Sequence, residues 1–169
     1  MQILVISDTH GRSDRLRKAV LMHRDADYIV HCGDGEQETD RLLREFPALA
    51  PKLYFVRGNC DFSSRSPELL TLDLPYGHRA VIVHGHRYTA GDYRENLVRL
   101  ARSQDADIVL FGHLHIRVDE TLLGVRLFNP GSAALPRDGQ PPSFGLLDVF
   151  ESGILTSHGS LLPAAYSMQ

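Results

Sequence analysis

The sequence is short of cysteine, of long apolar runs and of charge imbalance, and each shortage excludes a class of protein. Two cysteines in 169 residues, Cys32 and Cys60, are too few to staple a disulfide scaffold. No apolar run reaches the roughly 18 residues of a membrane span, so no membrane association is expected. The first residues enter an apolar strand directly, without a basic region and cleavage site, and a cytoplasmic protein is the simplest expectation. A net charge of −3 leaves no basic footprint for nucleic acid. The sequence is silent on whether the chain forms a homo-oligomer.

A hydrophobic content of 43% over this length suits one domain, 1–169, with a sizeable core and a tail from about Leu161 expected to be loosely held. Ile3–Ile6 reads as a strand buried on both faces. Polar residues arrive abruptly at its end: Ser7, Asp8, Thr9, His10. In extended chain Asp8 and His10 would share a face. A helix follows with Ser13 as its expected N-cap and Leu16, Ala19, Val20 and His23 at helical spacing. Asp27–His31 reads as a second strand running into Gly33-Asp34, Glu36–Phe46 as a second helix, and Lys52–Arg57 as a third strand running into Gly58-Asn59-Cys60-Asp61. This β-α-β-α-β order predicts a parallel sheet.

The second half differs in texture. Leu70–Leu74 and Arg79–Val83 flank Pro75-Tyr76-Gly77 as a hairpin, and the second of these strands ends in His84-Gly85-His86. A third helix is expected over Gly91–Ser103. Asp107–Phe111 reads as a strand ending in Gly112-His113-Leu114-His115. Strand-like runs follow at Arg117–Leu122, Val125–Phe128 and Phe144–Phe150, with a last short one near Ile154–Ser157. The proline-rich stretch Asn129–Ser143 reads as loop.

The chemistry gathers at strand ends. Asp8 and His10, Asp34, Asn59, His84, then His113 and His115 close five of them, each beside a glycine. Singly, each has an ordinary reading as a helix cap, a turn residue or a hydrogen-bonded polar group. Five glycine-flanked Asp, His or Asn positions at the strand ends of one α/β fold point together to metal. Seven groups exceed what one ion needs. Two ions roughly 3.5–4 Å apart are a known arrangement for phosphoryl chemistry.

The blocks Asp8-x-His10, Gly33-Asp34, Gly58-Asn59-x-Asp61, His84-Gly85-His86 and Gly112-His113-x-His115, from Met1 to about Phe150, resemble the signature of the calcineurin-like metallophosphoesterases. Asn129-Pro130-Gly131-Ser132 narrows the resemblance to the small YfcE-like phosphodiesterases, relatives of the small retromer subunit. The resemblance implies an α/β fold of two packed mixed β-sheets flanked by helices. It implies two divalent cations, manganese foremost, with Fe, Ni, Co or Zn as alternatives. Asp8, His10 and His115 would hold the first ion, Asn59, His84 and His113 the second, and Asp34 both. A water or hydroxide between the ions would attack the phosphorus of a small phosphodiester in line.

One departure bears on the substrate. Many members carry histidine where this chain has Cys60, and that histidine is thought to protonate the leaving oxygen. A thiol is the poorer acid at neutral pH, so diesters with good leaving groups are expected to outrun alkyl monoesters. A space-filling Cys60 is the rival reading. Asp61 is expected to orient a neighbour, and His86 to contact substrate or hold its loop. Asn129 and Ser132 read as a structural turn, Arg12 as an exposed helix-start arginine, His31 and Cys32 as packing, and His158 as surface. The rival function is a scaffold of the same fold, with Leu161-Leu162 as the candidate interaction patch; retention of all seven candidate ligands favours an enzyme. A nuclease is disfavoured for want of a basic groove.

Overall fold

The computed structural model describes residues 1–62 and 64–162. Two five-stranded mixed sheets pack face to face, with helices on both outer faces. The first sheet is built on β1 (Gln2–Ile6), β2 (Tyr28–His31) and β3 (Leu53–Phe55), which run parallel. Across β1 it continues antiparallel into β9 (Ser143–Phe150) and then β10 (Gly153–Ser160). The second sheet is ordered β4 (Leu69–Asp73), β5 (Arg79–Val83), β6 (Ile108–Phe111), β8 (Val125–Pro130), β7 (Arg117–Leu122). Its inner strands β5, β6 and β8 are parallel and its two edges antiparallel.

Strand periodicity builds the layers. Successive side chains point to opposite faces, so Ile3 and Val5 enter the core between the sheets with Val30, Ile82, Leu110 and Phe128. Leu4 and Ile6 face outward against Leu16, Ala19, Val20 and Leu42 of α1 (Ser13–Met22) and α2 (Glu36–Glu45). In the second sheet Val81, Val109 and Leu127 face outward against Leu97, Val98 and Ala101 of α3 (Tyr93–Ser103). Strands covered on both sides must be continuously apolar, as Ile3–Ile6 is.

Several expected boundaries move. Ser13 is the first residue of α1 and Arg12 its cap, without a side-chain cap bond. The start of α3 falls at Tyr93 because the Asp92 carboxylate accepts the Arg94 N–H. Pro47–Lys52 forms a 3-10 turn, which shortens β3 to Leu53–Phe55. Asn129 and Pro130 belong to β8 and pair with Val118 and Arg117 of the edge strand β7. The last strand spans eight residues because β9 pairs with it along its whole length. His158, expected at the surface, is half-buried: its ring stacks on Phe128 with centroids 4.8 Å apart, and its Nε2 lies 2.8 Å from the Asn129 carbonyl.

Leu161, where the expected loose tail begins, is anchored. Leu161 is buried against the α1 and α2 layer, its N–H donates to the Pro142 carbonyl, and its own carbonyl accepts from Lys18 Nζ at 2.6 Å. Leu162 is exposed, so the pair does not form one apolar patch. The rest of the expected tail, 163–169, lies outside the described residues. Leu161→Ala should cost about 2–4 kcal/mol of unfolding free energy in urea titrations, and Leu162→Ala under about 0.5 kcal/mol. Equal effects would refute the anchoring.

Candidate metal centre

The parallel strands of both sheets end at the same side of the sandwich, and their exit loops carry the candidate ligands. The backbone there is unusual. Asp8, His10, Asp34, His113 and His115 all have positive φ, between 39° and 67°. They make up five of the eight non-glycine residues in that conformation among the described residues. Left-handed backbone is unfavourable by about 1–2 kcal/mol for a side-chain-bearing residue, and such outliers concentrate at functional sites. Asp8 and His10 therefore converge through two left-handed turns, not through the shared face of an extended chain.

Asp8 is fully buried. Its Oδ2 accepts from Ser7 Oγ at 2.6 Å and from the His113 N–H at 3.1 Å. Its Oδ1 has no hydrogen-bond donor, but lies 3.1 Å from His115 Nε2 and 3.8 Å from His10 Nε2, and those two nitrogens are 3.2 Å apart. His115 Nδ1 sits 2.8 Å from the Leu135 carbonyl. A carbonyl only accepts, so Nδ1 carries a proton, and in the neutral ring Nε2 keeps its lone pair on the side of the carboxylate. An Asp8 oxygen and two imidazole nitrogens thus converge within a few ångströms, a donor set that could hold a metal cation.

The other half repeats the device. His84 Nδ1 donates to the Cys32 carbonyl at 2.8 Å, which leaves its Nε2 facing Asn59 Oδ1 at 3.1 Å and Asp34 Oδ2 at 3.4 Å. Asp34 Oδ2 is also 3.8 Å from His10 Nε2, so this carboxylate stands between the two groups of ligands. Acidic, imidazole and thiol groups cluster closely enough to share an ion in three sets among the described residues: Asp8, His10 and His115; Asp8, Asp34 and His84; His10, Asp34 and Cys60. The His113 ring stands 5.2 Å from that of His84 and joins none of these sets.

Charge follows geometry. Burial alone would lower the pKa values of His115 and His84, but Asp8 and Asp34 respectively raise them overall. Burial would raise the Asp34 pKa, yet His84 and the Cys60 N–H hold it well below the usual carboxylate range. Burial and the neighbouring His84 lower His113 and His86. His86 is half-buried, its Nδ1 has no hydrogen-bond partner, and its ring lies 5.5 Å from that of His84. The Cys60 thiol, near the mouth, is pushed up to about 11 by partial burial and then by Asp34, so it stays protonated at neutral pH.

Asp61 holds this assembly in place. Its two oxygens accept the N–H groups of Gly58, Asp34, Gly35 and Glu36 at 2.7–3.0 Å. It thereby ties the Asn59 loop to the Asp34 loop and to the first turn of α2. Close approach makes glycine obligatory at two points. A Cβ on Gly58 would stand 2.0 Å from Asp34 Oδ1, and one on Gly112 would stand 1.9 Å from Ser7 Oγ.

Sequence reasoning missed three supports. His31 is fully buried and its Nδ1 accepts the Gly33 N–H, so its Nε2–H donates to Thr9 Oγ1 at 3.2 Å, cross-linking the first two ligand loops. Ser7 was read only as a polar strand end, yet it orients Asp8. Ser132 donates to the Asp8 carbonyl, and Asn129 to that of Gly112, so the expected structural turn buttresses two ligand loops. Arg12 pairs with Asp14 at the surface, as an exposed helix-start arginine would.

Residues 1–152 match the domain model of the calcineurin-like phosphoesterase superfamily. The chain is 38% identical over 151 residues to the probable metallophosphoesterase YsnB of Bacillus subtilis, covering 88% of this chain and 85% of that protein. It is 28% identical over 170 residues to the phosphodiesterase YfcE of Escherichia coli, covering 88% of each. The crystal structure of a predicted phosphoesterase from Streptococcus pneumoniae superposes with a TM-score of 0.80 at 26% identity, covering 95% of this chain and 89% of that one.

Metal binding should release protons. As pH falls from 8 to 6, protonation of His84 and His115 should compete with the ion and weaken its affinity. Calorimetry in two buffers of different ionisation enthalpy reads the released protons; an affinity independent of pH would overturn the lone-pair assignment. Asp61→Ala should lower metal affinity about 10- to 100-fold, and Asp61→Asn, which keeps an acceptor, by less.

Proposed function

The chain belongs to the calcineurin-like phosphoesterase superfamily, and from that premise we propose that it is a divalent-metal-dependent phosphodiesterase working by in-line displacement at phosphorus. The observation that carries this reading is the buried, donor-less Asp8 Oδ1 facing His115 and His10, with the Asp34 carboxylate between that group and His84. Asp8, His10 and His115 are assigned to one ion, Asn59, His84 and His113 to a second, and Asp34 to both. A set of imidazole, carboxylate and amide oxygen donors suits Mn, Fe, Co, Ni or Zn, and manganese is the first choice to test. Two such ions supply Lewis acidity toward the phosphoryl oxygens and a water nucleophile of lowered pKa.

The protein's own part is placement. Backbone carbonyls fix the tautomers of His84 and His115, and the Asp61 cross-link fixes the Asp34 and Asn59 loops before substrate arrives. Preorganisation of this kind avoids reorganisation during reaction. Cys60 stands at the mouth where a leaving oxygen could meet a proton donor, but a thiol pushed up to about 11 gives up its proton poorly. Esters whose leaving group departs unprotonated, such as aryl diesters, are therefore the fitting substrates. His86, beside His84 and His113, is assigned to substrate contact.

Metal-stripped protein titrated with Mn²⁺ should gain hydrolysis of bis(p-nitrophenyl) phosphate up to two ions per chain, with p-nitrophenyl phosphate turned over more slowly. Asp34→Asn should lower kcat on the diester at least ~10²-fold; near-normal turnover would remove Asp34 from its role. Cys60→His should raise kcat on alkyl esters up to ~10²-fold and change the aryl diester little, and an equal effect on both would exclude leaving-group protonation at this position.

A further inference from the structure

Beside the candidate ligands lies a cavity of about 260 Å³ that His10, Asp34 and Cys60 help to line. Glu36, Gln37, Glu38, Asp61 and Phe62 also line it, and among the described residues no Lys or Arg does. Arg65, three residues past Phe62, is exposed and does not line it. Phe62 is 85% exposed, more than any other large hydrophobic side chain among the described residues. Burying such a ring would contribute about 1.5–3 kcal/mol, and the fold forgoes that gain. Hydroxyls of Ser64 and Ser66 donate to Glu36, which ties the chain at these two serines to the start of α2.

Carboxylates in a first helical turn are ordinary complements to the helix dipole. That accounts for Glu36 and Glu38, but not for an uncovered aromatic face beside them and no cation among the lining residues. An anionic group entering here would meet four carboxylates, Asp34, Glu36, Glu38 and Asp61. An ammonium group would be drawn both by them and by the ring face. We propose that this cavity receives an ammonium-bearing alcohol of the substrate, so that the phosphodiester cleaved is of the amino-alcohol class, its cation over Phe62 and beside Glu36. The inference rests on the phosphodiesterase reading above and adds the chemistry of one ester group.

p-Nitrophenyl phosphocholine and bis(p-nitrophenyl) phosphate release the same nitrophenolate and differ only in the other ester group. With the Mn²⁺-loaded enzyme, the choline ester should show the lower KM, and salt should raise that KM. Phe62→Ala and Glu36→Gln should each raise it about 3- to 30-fold, with a smaller effect on kcat and on the KM of the bis-aryl ester. Equal KM values for the two esters, or a choline-ester KM that neither substitution moves, would overturn the proposal and leave the diesterase standing. If neither ester is turned over, the diesterase reading fails, and binding decides the cavity. Saturation transfer from the Mn²⁺-free, Mg²⁺-loaded protein to the N-methyl protons of choline, lost in Phe62→Ala, would support it; no transfer would refute it.

Discussion

Carboxylate and imidazole groups are brought together at one point, and the rest of the structure serves that convergence. Asp8 Oδ1, the Nε2 atoms of His10 and His115, and Asp34 Oδ2 meet in a space closed to water on the Asp8 side. Left to themselves these groups would separate and be solvated. They are held by three restraints: left-handed backbone at five candidate ligands, carbonyls that take the outer proton of two histidines, and a carboxylate that takes four amides. Each of these restraints fixes a candidate ligand group in place.

The four-layer architecture explains why the restraints can hold. β1 and β2 of one sheet and β5 and β6 of the other end side by side, so the site straddles the seam between two rigid layers. Asp8 and Asp34 come from the first sheet, His84, His113 and His115 from the second. Hydrogen bonds cross that seam from His84 to Cys32, from the His113 amide to Asp8, and from Ser132 to Asp8. A shift of one sheet against the other would pull the two halves of the centre apart, and the densely apolar inter-sheet core resists it.

Much of this was legible in the sequence because strand ends are marked twice, by an apolar run that stops and by glycine beside a donor residue. The order of the strands and the set of ligand candidates follow from that pattern. The antiparallel continuation into β9 and the full length of β10 do not, since a strand exposed on alternate residues, such as Leu155 and Ser157, carries little apolar signal. His31 read as packing because its neighbours are apolar; only the fold brings Thr9 and the Gly33 amide to its two nitrogens. Leu161 read as tail because local sequence cannot show that the Pro142 carbonyl waits for its amide. The role of Asp61 was visible as a position and invisible as a geometry, since four amides from two segments meet it only after folding.

The left-handed ligands have a consequence for how such a chain can change over time. At positions such as His10 or His113, asparagine or glycine relieves the backbone, and losing one charged or lone-pair-bearing group relieves the crowding as well. A replacement of that kind is thus a conformational relief. Once selection for turnover is relaxed, drift is downhill toward a quieter and more rigid sandwich, in keeping with the general opposition between a strained site and stability. A fold that stores its strain in its ligands is well placed to outlive its chemistry as a purely structural module.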